Sequence, residues 1–134
     1  IYAVSRDAPI GIDIQEIKTA KPSYYLRLAK RFFSPYEFSS ILLTKEHSPT
    51  DLFFTCWARK EAYVKRHGVG LSQHLLSFIV NVNPDESARL IATPWRPSDI
   101  QRTHLMDLRT PTAHRTALAV ASSANNIIRN YTEL

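Results

Sequence analysis

The sequence predicts an α+β fold, and three features of it carry that prediction. Helix starts marked by proline, Ser34-Pro35-Tyr36-Glu37 and Ser48-Pro49-Thr50-Asp51, lie in the first half of the chain. Short alternating runs separated by Pro, Asp, Ser and Thr fill much of the second half. Helices and strands are thus segregated along the chain, which argues against a wound α/β sheet. A length of 134 residues, with 44% hydrophobic and 22% charged residues, fits one domain, 1–134, with a real core.

Taken in order, Ile10 to Ile17 opens with the alternation of a half-buried strand, Ile10, Ile12 and Ile14 on one side and Asp13 and Gln15 on the other. A helix is expected from about Pro22 to Phe33. Leu26, Leu28, Ala29, Phe32 and Phe33 gather on one face of it, and Arg27, Lys30 and Arg31 gather opposite. Ser34 caps a short helix ending near Leu43, with Glu37 completing a capping box. Ser48 caps a longer helix from about Pro49 to His67, which stops where Gly68 can turn left-handed. Strands are expected at Ser77 to Asn83, Arg89 to Thr93, Thr103 to Arg109 and Thr116 to Ala121, with Pro94, Pro97 and Pro111 in the connections.

Composition narrows the function classes. A net charge of +5 predicts an anionic partner, whether nucleic acid, a phosphorylated cofactor or an acidic protein. No apolar run reaches the roughly 18 residues of a membrane span, and no secretory pattern opens the chain, so a cytoplasmic protein without a membrane partner is expected. The lone Cys56 reads as a core thiol. Gly11, Gly68 and Gly70 form neither a phosphate-binding loop nor a dinucleotide fingerprint, and the scattered histidines lack metal-ligand spacing. In YYLRLAKRFF the phenylalanines project opposite the cations, which weakens a base-stacking surface and argues against nucleic acid.

The chemically unusual stretch is WARKEAYVKRHGVGL, from Trp57 to Leu71. Phe53, Phe54, Trp57 and Val64 share roughly a third of the helical wheel, and Glu61 projects between Trp57 and Phe54, inside the apolar stripe. Lys60 lies at the other edge of the stripe, Lys65 follows Glu61 by four residues, and Arg59 and Arg66 project to the outer face. A carboxylate so placed loses hydration unless a cation compensates it. Glu61 and Lys65 would otherwise be an ordinary i,i+4 ion pair worth a few tenths of a kcal/mol. Asp13, on the polar side of its strand beside Gln15, is either a strand-end turn cap or, with Glu61, the minimal protein share of a magnesium site completed by water and phosphate oxygens.

GIDIQEI, RFFSPYEF and WARKEAYVK together resemble the 4'-phosphopantetheinyl transferases, over about Ile10 to Leu71. The Trp57, Lys60, Glu61, Lys65 spacing is similar to that of the surfactin-type branch, whose chains carry two like halves, and this sequence looks like the C-terminal half. The resemblance implies a half-domain with a helical segment and an antiparallel sheet. It implies Mg²⁺-dependent transfer of phosphopantetheine from coenzyme A, the co-substrate, to a serine of an acyl or peptidyl carrier protein, releasing 3',5'-ADP. Asp13, Glu61 and, in place of an acid usual in that branch, Gln15 would be the metal ligands, with Glu16 or water compensating. Lys60 and Lys65 would hold the diphosphate, Glu61 and Lys65 would serve the chemistry, and Arg27, Lys30 and Arg31 would dock the acidic carrier. Ile1 is no initiator and the branch's upstream Ser/His segment is missing, so a missing N-terminal half or identical chains are expected to complete the site. A noncatalytic carrier-binding domain and a basic nucleic-acid module are the competing readings, and neither needs the joint Asp13, Lys60, Glu61, Lys65 set.

Overall fold

The computed structural model describes residues 1–69 and 74–121, so the Gly70-Leu71 end of the stretch above lies outside the described residues. Its elements run β1 (Ile10–Glu16), α1 (Pro22–Phe32), α2 (Pro35–Leu43), α3 (Pro49–His67), β2 (Ile79–Val80), β3 (Leu90–Ala92), α4 (Asp99–Arg102), β4 (Thr103–Leu108) and β5 (His114–Ala121). The α+β class is as the sequence predicts. β1, β5 and β4 form an antiparallel sheet in that order, and β2 and β3 form a separate hairpin. α3 is the hub of the fold. It packs along β1 and β5 on one side and against α1 and α2 on the other.

The helix boundaries follow their caps. Ser34 accepts from the Glu37 backbone N–H while the Glu37 side chain accepts from that of Ser34, closing the capping box, and Ser48 caps α3 through the Asp51 N–H. Gly68 ends α3 at φ 65°, the left-handed conformation that relieves its last carbonyls. The core joins Tyr25, Ala29 and Phe33 to Leu52, Phe53, Cys56, Ala62, Tyr63, Phe78, Val80 and Leu105. Trp57 packs on it through Phe32, Phe33 and Phe53.

The sheet differs from expectation in one respect that matters to function. The side of β1 turned to α3 carries Gly11 and Asp13, both buried, whereas the isoleucine side is the more open one, with Ile14 39% exposed. Register places Ile12 and Met106 on either side of Leu118, and Ile14 and Leu108 on either side of Thr116, so the outer face of the sheet is largely apolar.

The expected strand from Ser77 to Asn83 shrinks to Ile79–Val80, with a bulge in its pairing. The Arg59 guanidinium takes the Asn81 and Asn83 carbonyls that a continuing ladder would use. Arg89 to Thr93 shortens to Leu90–Ala92, while β5 begins at His114, earlier than the expected Thr116. α4 and a 3-10 turn at Leu75–Ser77 were not expected from the sequence. No helix among the described residues is long and apolar enough to cross a membrane.

Candidate functional site

Gly11 is the contact on which the site is built. A Cβ there would lie 2.1 Å from the Ala62 carbonyl oxygen and 2.3 Å from the Arg66 nitrogen, backbone atoms that cannot turn aside. Only a bare Cα lets β1 and the last turns of α3 touch. One alternation further along β1, Asp13 therefore emerges directly beneath the helix.

Asp13 is 4% exposed and sits mid-strand opposite Ala117, which removes the turn-cap reading. Its Oδ1 accepts from Lys65 Nζ at 2.6 Å, and its Oδ2 accepts from the Gln15 side-chain amide at 2.8 Å. Lys65 thus pairs across to β1, and no ion pair joins it to Glu61 as the i,i+4 reading supposed. Its side chain remains 49% exposed, so the ammonium also faces solvent.

Glu61 is half-buried, and burial raises its carboxyl above the usual carboxylate range. The neighbouring Asp13 charge pushes it further up, and Lys65 opposes both. Two carboxylates and an amide therefore converge from β1 and α3, with one half-exposed lysine among them. Hard oxygen donors sharing a repulsive field suit a divalent cation such as Mg²⁺, which would relieve that repulsion. Among the described residues, no group of three or more His, Cys, Asp or Glu side chains could hold a metal, so further ligands would come from water or a bound phosphate. Glu16 lies on the outer side of the strand and is exposed.

Lys60, expected at the diphosphate, has no exposed side-chain surface here, and its ammonium donates to Glu37 Oε1 at 2.6 Å and to the Phe78 carbonyl at 2.5 Å. The Phe78 ring lies 4.3 Å away. Its cationic end is used within the fold, because the stripe edge that α3 shows in projection is covered here by α2 and β2. Arg59 corrects the wheel in the same way. Placed on the outer face by projection, it is fully buried and holds Asp107 through two nitrogens, at 3.0 and 2.6 Å. Arg66 is largely covered too, bonding Thr103 and approaching Asp99.

Sequence reasoning missed Glu37 beyond its cap. Its carboxylate takes Lys60 and the Val80 N–H on one oxygen, and the Ser34 N–H and hydroxyl on the other. The available signal was a capping carboxylate with an oxygen to spare, facing a lysine at the edge of the neighbouring helix's apolar stripe. Arg27, Lys30 and Arg31 are exposed along α1, as its projection predicts. With Arg59 and Lys60 consumed internally, α3 adds little to any cationic surface, which further weakens the nucleic-acid reading.

Comparison with known proteins bears on the family and the fold. The sequence model of the 4'-phosphopantetheinyl transferase superfamily matches residues 9–121. The 4'-phosphopantetheinyl transferase Sfp of Bacillus subtilis is 43% identical over 77 residues, covering 58% of this chain and 33% of that protein. The 4'-phosphopantetheinyl transferase psf-1 of Bacillus pumilus is 36% identical over 101 residues, 75% of this chain and 42% of that one. The matched stretches therefore span a third and about two fifths of the length of these curated relatives. Among solved structures, the holo-[acyl-carrier-protein] synthase of Neisseria meningitidis aligns with a TM-score of 0.61 at 19% identity, over 85% of this chain and 97% of that one, which speaks for the fold alone.

Proposed function

We propose that this chain, which belongs to the 4'-phosphopantetheinyl transferase superfamily, carries the metal and diphosphate site for transfer of 4'-phosphopantetheine from coenzyme A to a serine of an acyl or peptidyl carrier protein. The observation that carries the reading is the Gly11 contact, which sets Asp13 against Lys65 and beside Glu61. Asp13 and Glu61 would hold Mg²⁺ through carboxylate oxygens, with the Gln15 carbonyl oxygen as a weaker third donor. The bound ion would supply charge neutralisation and polarisation at the diphosphate.

The remaining chemistry falls to the chain's own residues. Lys65, half-exposed, turns from Asp13 toward the diphosphate oxygens and offsets their charge. Glu61, its carboxyl raised by burial, is suited to accept the proton of the carrier serine, directly or through a water. The serine oxygen forms a bond to the phosphorus bearing the pantetheine arm as the bond from that phosphorus to the bridging oxygen breaks, and 3',5'-ADP leaves. No nucleophile of this chain is required, since phosphoryl transfer rests mainly on positioning and charge stabilisation.

The exposed Arg27, Lys30 and Arg31 would steer an acidic carrier toward α1. The isoleucine side of β1, the more exposed of its two sides, suits a covering partner, and we favour a second half of the same protein, since the matched relatives are much longer than this chain. An identical chain is the other occupant. The test is mass spectrometry of an apo carrier protein incubated with coenzyme A, Mg²⁺ and this chain, alone and supplied with an N-terminal half. Gain of one phosphopantetheine that is abolished by chelation supports the reading. Coenzyme A binding without transfer in either arrangement would favour a noncatalytic carrier-binding domain.

A further inference from the structure

We infer that Lys60 and Glu37 are positioning residues, whose buried ion pair fixes the rotation of α3 about its axis and so holds Glu61 against β1; the inference rests on the site reading above. Arg59, Lys60 and Glu61 leave α3 at successive steps of about 100°. Arg59 is gripped by Asp107 and by the Asn81, Asn83 and Glu86 carbonyls. Lys60 is gripped by Glu37 and the Phe78 carbonyl. The next step brings Glu61 toward Asp13, with the Gly11 contact immediately alongside.

Any turn of the helix would draw a buried cation away from a saturated set of acceptors, leaving charge without partners in the interior, the costly case for buried ions. Two grips in different directions admit one rotation. Glu37 is tied in turn to the α2 N-terminus through Ser34 and to β2 through the Val80 N–H, so the anchor is common to three elements. If Lys60 swung to a diphosphate, Glu37 would stay buried with no cation to balance its charge. The sequence motif therefore joins two lysines with different tasks: Lys65 meets the ligand, and Lys60 holds the helix that presents Glu61.

Lys60→Met keeps the unbranched shape but strands the Glu37 charge. Adding Glu37→Gln removes that charge; its amide oxygen keeps one of the Val80 and Ser34 backbone donors, and the other is given up. The experiment compares the intact chain, Lys60→Met, the double variant and Lys65→Met by melting temperature, by the NMR contact between Gly11 and Ala62, and by calorimetric titration with Mg²⁺ and inorganic pyrophosphate. The single Lys60 variant should melt earlier and lose the Gly11 contact. The double variant should recover part of the lost melting temperature and, with it, the contact and pyrophosphate affinity, whereas Lys65→Met keeps the contact and loses affinity by about tenfold or more.

A double variant that regains fold and contact but stays about tenfold weak for pyrophosphate would make Lys60 a ligand and overturn the inference. So would a double variant that melts no higher than Lys60→Met, or one in which the Gly11 contact stays lost. If the intact chain binds no Mg²⁺ and pyrophosphate, the proposed function is what fails, and melting together with the Gly11 contact still decides the inference.

Discussion

α3 gives one lysine to each of two acid and lysine pairs of equal length, with Glu37 of α2 and with Asp13 of β1, and the two pairs differ in burial and in partners. Glu37 and Lys60 are both fully covered; the carboxylate meets four donors, and the ammonium meets two acceptors and the Phe78 ring. Asp13 and Lys65 form an equally short contact, yet Lys65 is half in solvent, and Glu61 beside them has an ion pair with neither. A saturated, dry pair gives up little to a ligand, because removing either partner strands the other. An open pair next to a repelled carboxylate can exchange partners at little cost. Saturation and access thus separate the pair that serves the fold from the pair that serves chemistry.

The largest effect should come from breaking the closed pair. Lys60→Met is expected to lower stability by about 3–5 kcal/mol, as for a buried charge left alone. The matching change in the open pair, Lys65→Met, should cost less, because the ammonium is already half in solvent; what it does cost comes from leaving the buried Asp13 without its paired cation. Denaturant unfolding of the two variants checks the contrast. Equal losses would erase the distinction.

Next comes the chemistry of the open pair. Glu61→Gln keeps its shape and removes its charge, so carrier modification should fall by at least about a hundredfold. Stability should move the other way. The folded carboxyl titrates above its unfolded value, so the stability it lends is fully present below the unfolded value and is lost as pH rises through the folded one. The glutamine variant should therefore melt slightly above the parent at neutral pH and lose that advantage in acid. A melting scan across pH, run beside the transfer assay, reads both signs.

Gly11→Ala should follow, at about 1–3 kcal/mol, the range for forcing extra volume into a packed contact. Its Cβ presses on the α3 backbone at the level of the site, so Mg²⁺ affinity should drop along with stability. A variant that loses stability but keeps its Mg²⁺ titration would show that the site does not depend on this approach.

Much of this was legible in the sequence. Ser34, Ser48 and Gly68 announced the helix ends through their own local chemistry. Asp13 and Glu61 stood out as acids misplaced on apolar elements, and the structure brings them together. The roles of Arg59 and Lys60 were not legible, because a helical projection knows only neighbours on its own helix. Their partners, Asp107 and Glu37, lie in other elements. Gly11 could have been read further, since a lone glycine in a strand signals close backbone approach, but what approached it depended on the packing of α3. The isoleucine alternation gave the period of β1, while which of its sides faced the helix was set by that same glycine.

The smallest effect should sharpen the open site itself. Gln15 donates its amide to Asp13, and it lies directly across the ladder from Arg115, whose guanidinium pairs with Asp51. Gln15→Glu replaces that donor with a third anion beside Asp13 and Glu61, which favours a divalent cation by charge and by donor type. Two effects restrain the gain. The new carboxylate can draw Arg115 from Asp51, and without Mg²⁺ it adds repulsion to a site where Asp13 already raises Glu61. The Mg²⁺ concentration for half-maximal transfer should therefore fall by less than about tenfold, equivalent to ~1.4 kcal/mol. Pairing Gln15→Glu with Arg115→Gln should widen that shift, because the competing cation is gone. A Mg²⁺ titration indifferent to both changes would place residue 15 outside the coordination shell and leave Asp13 and Glu61 as the only protein ligands.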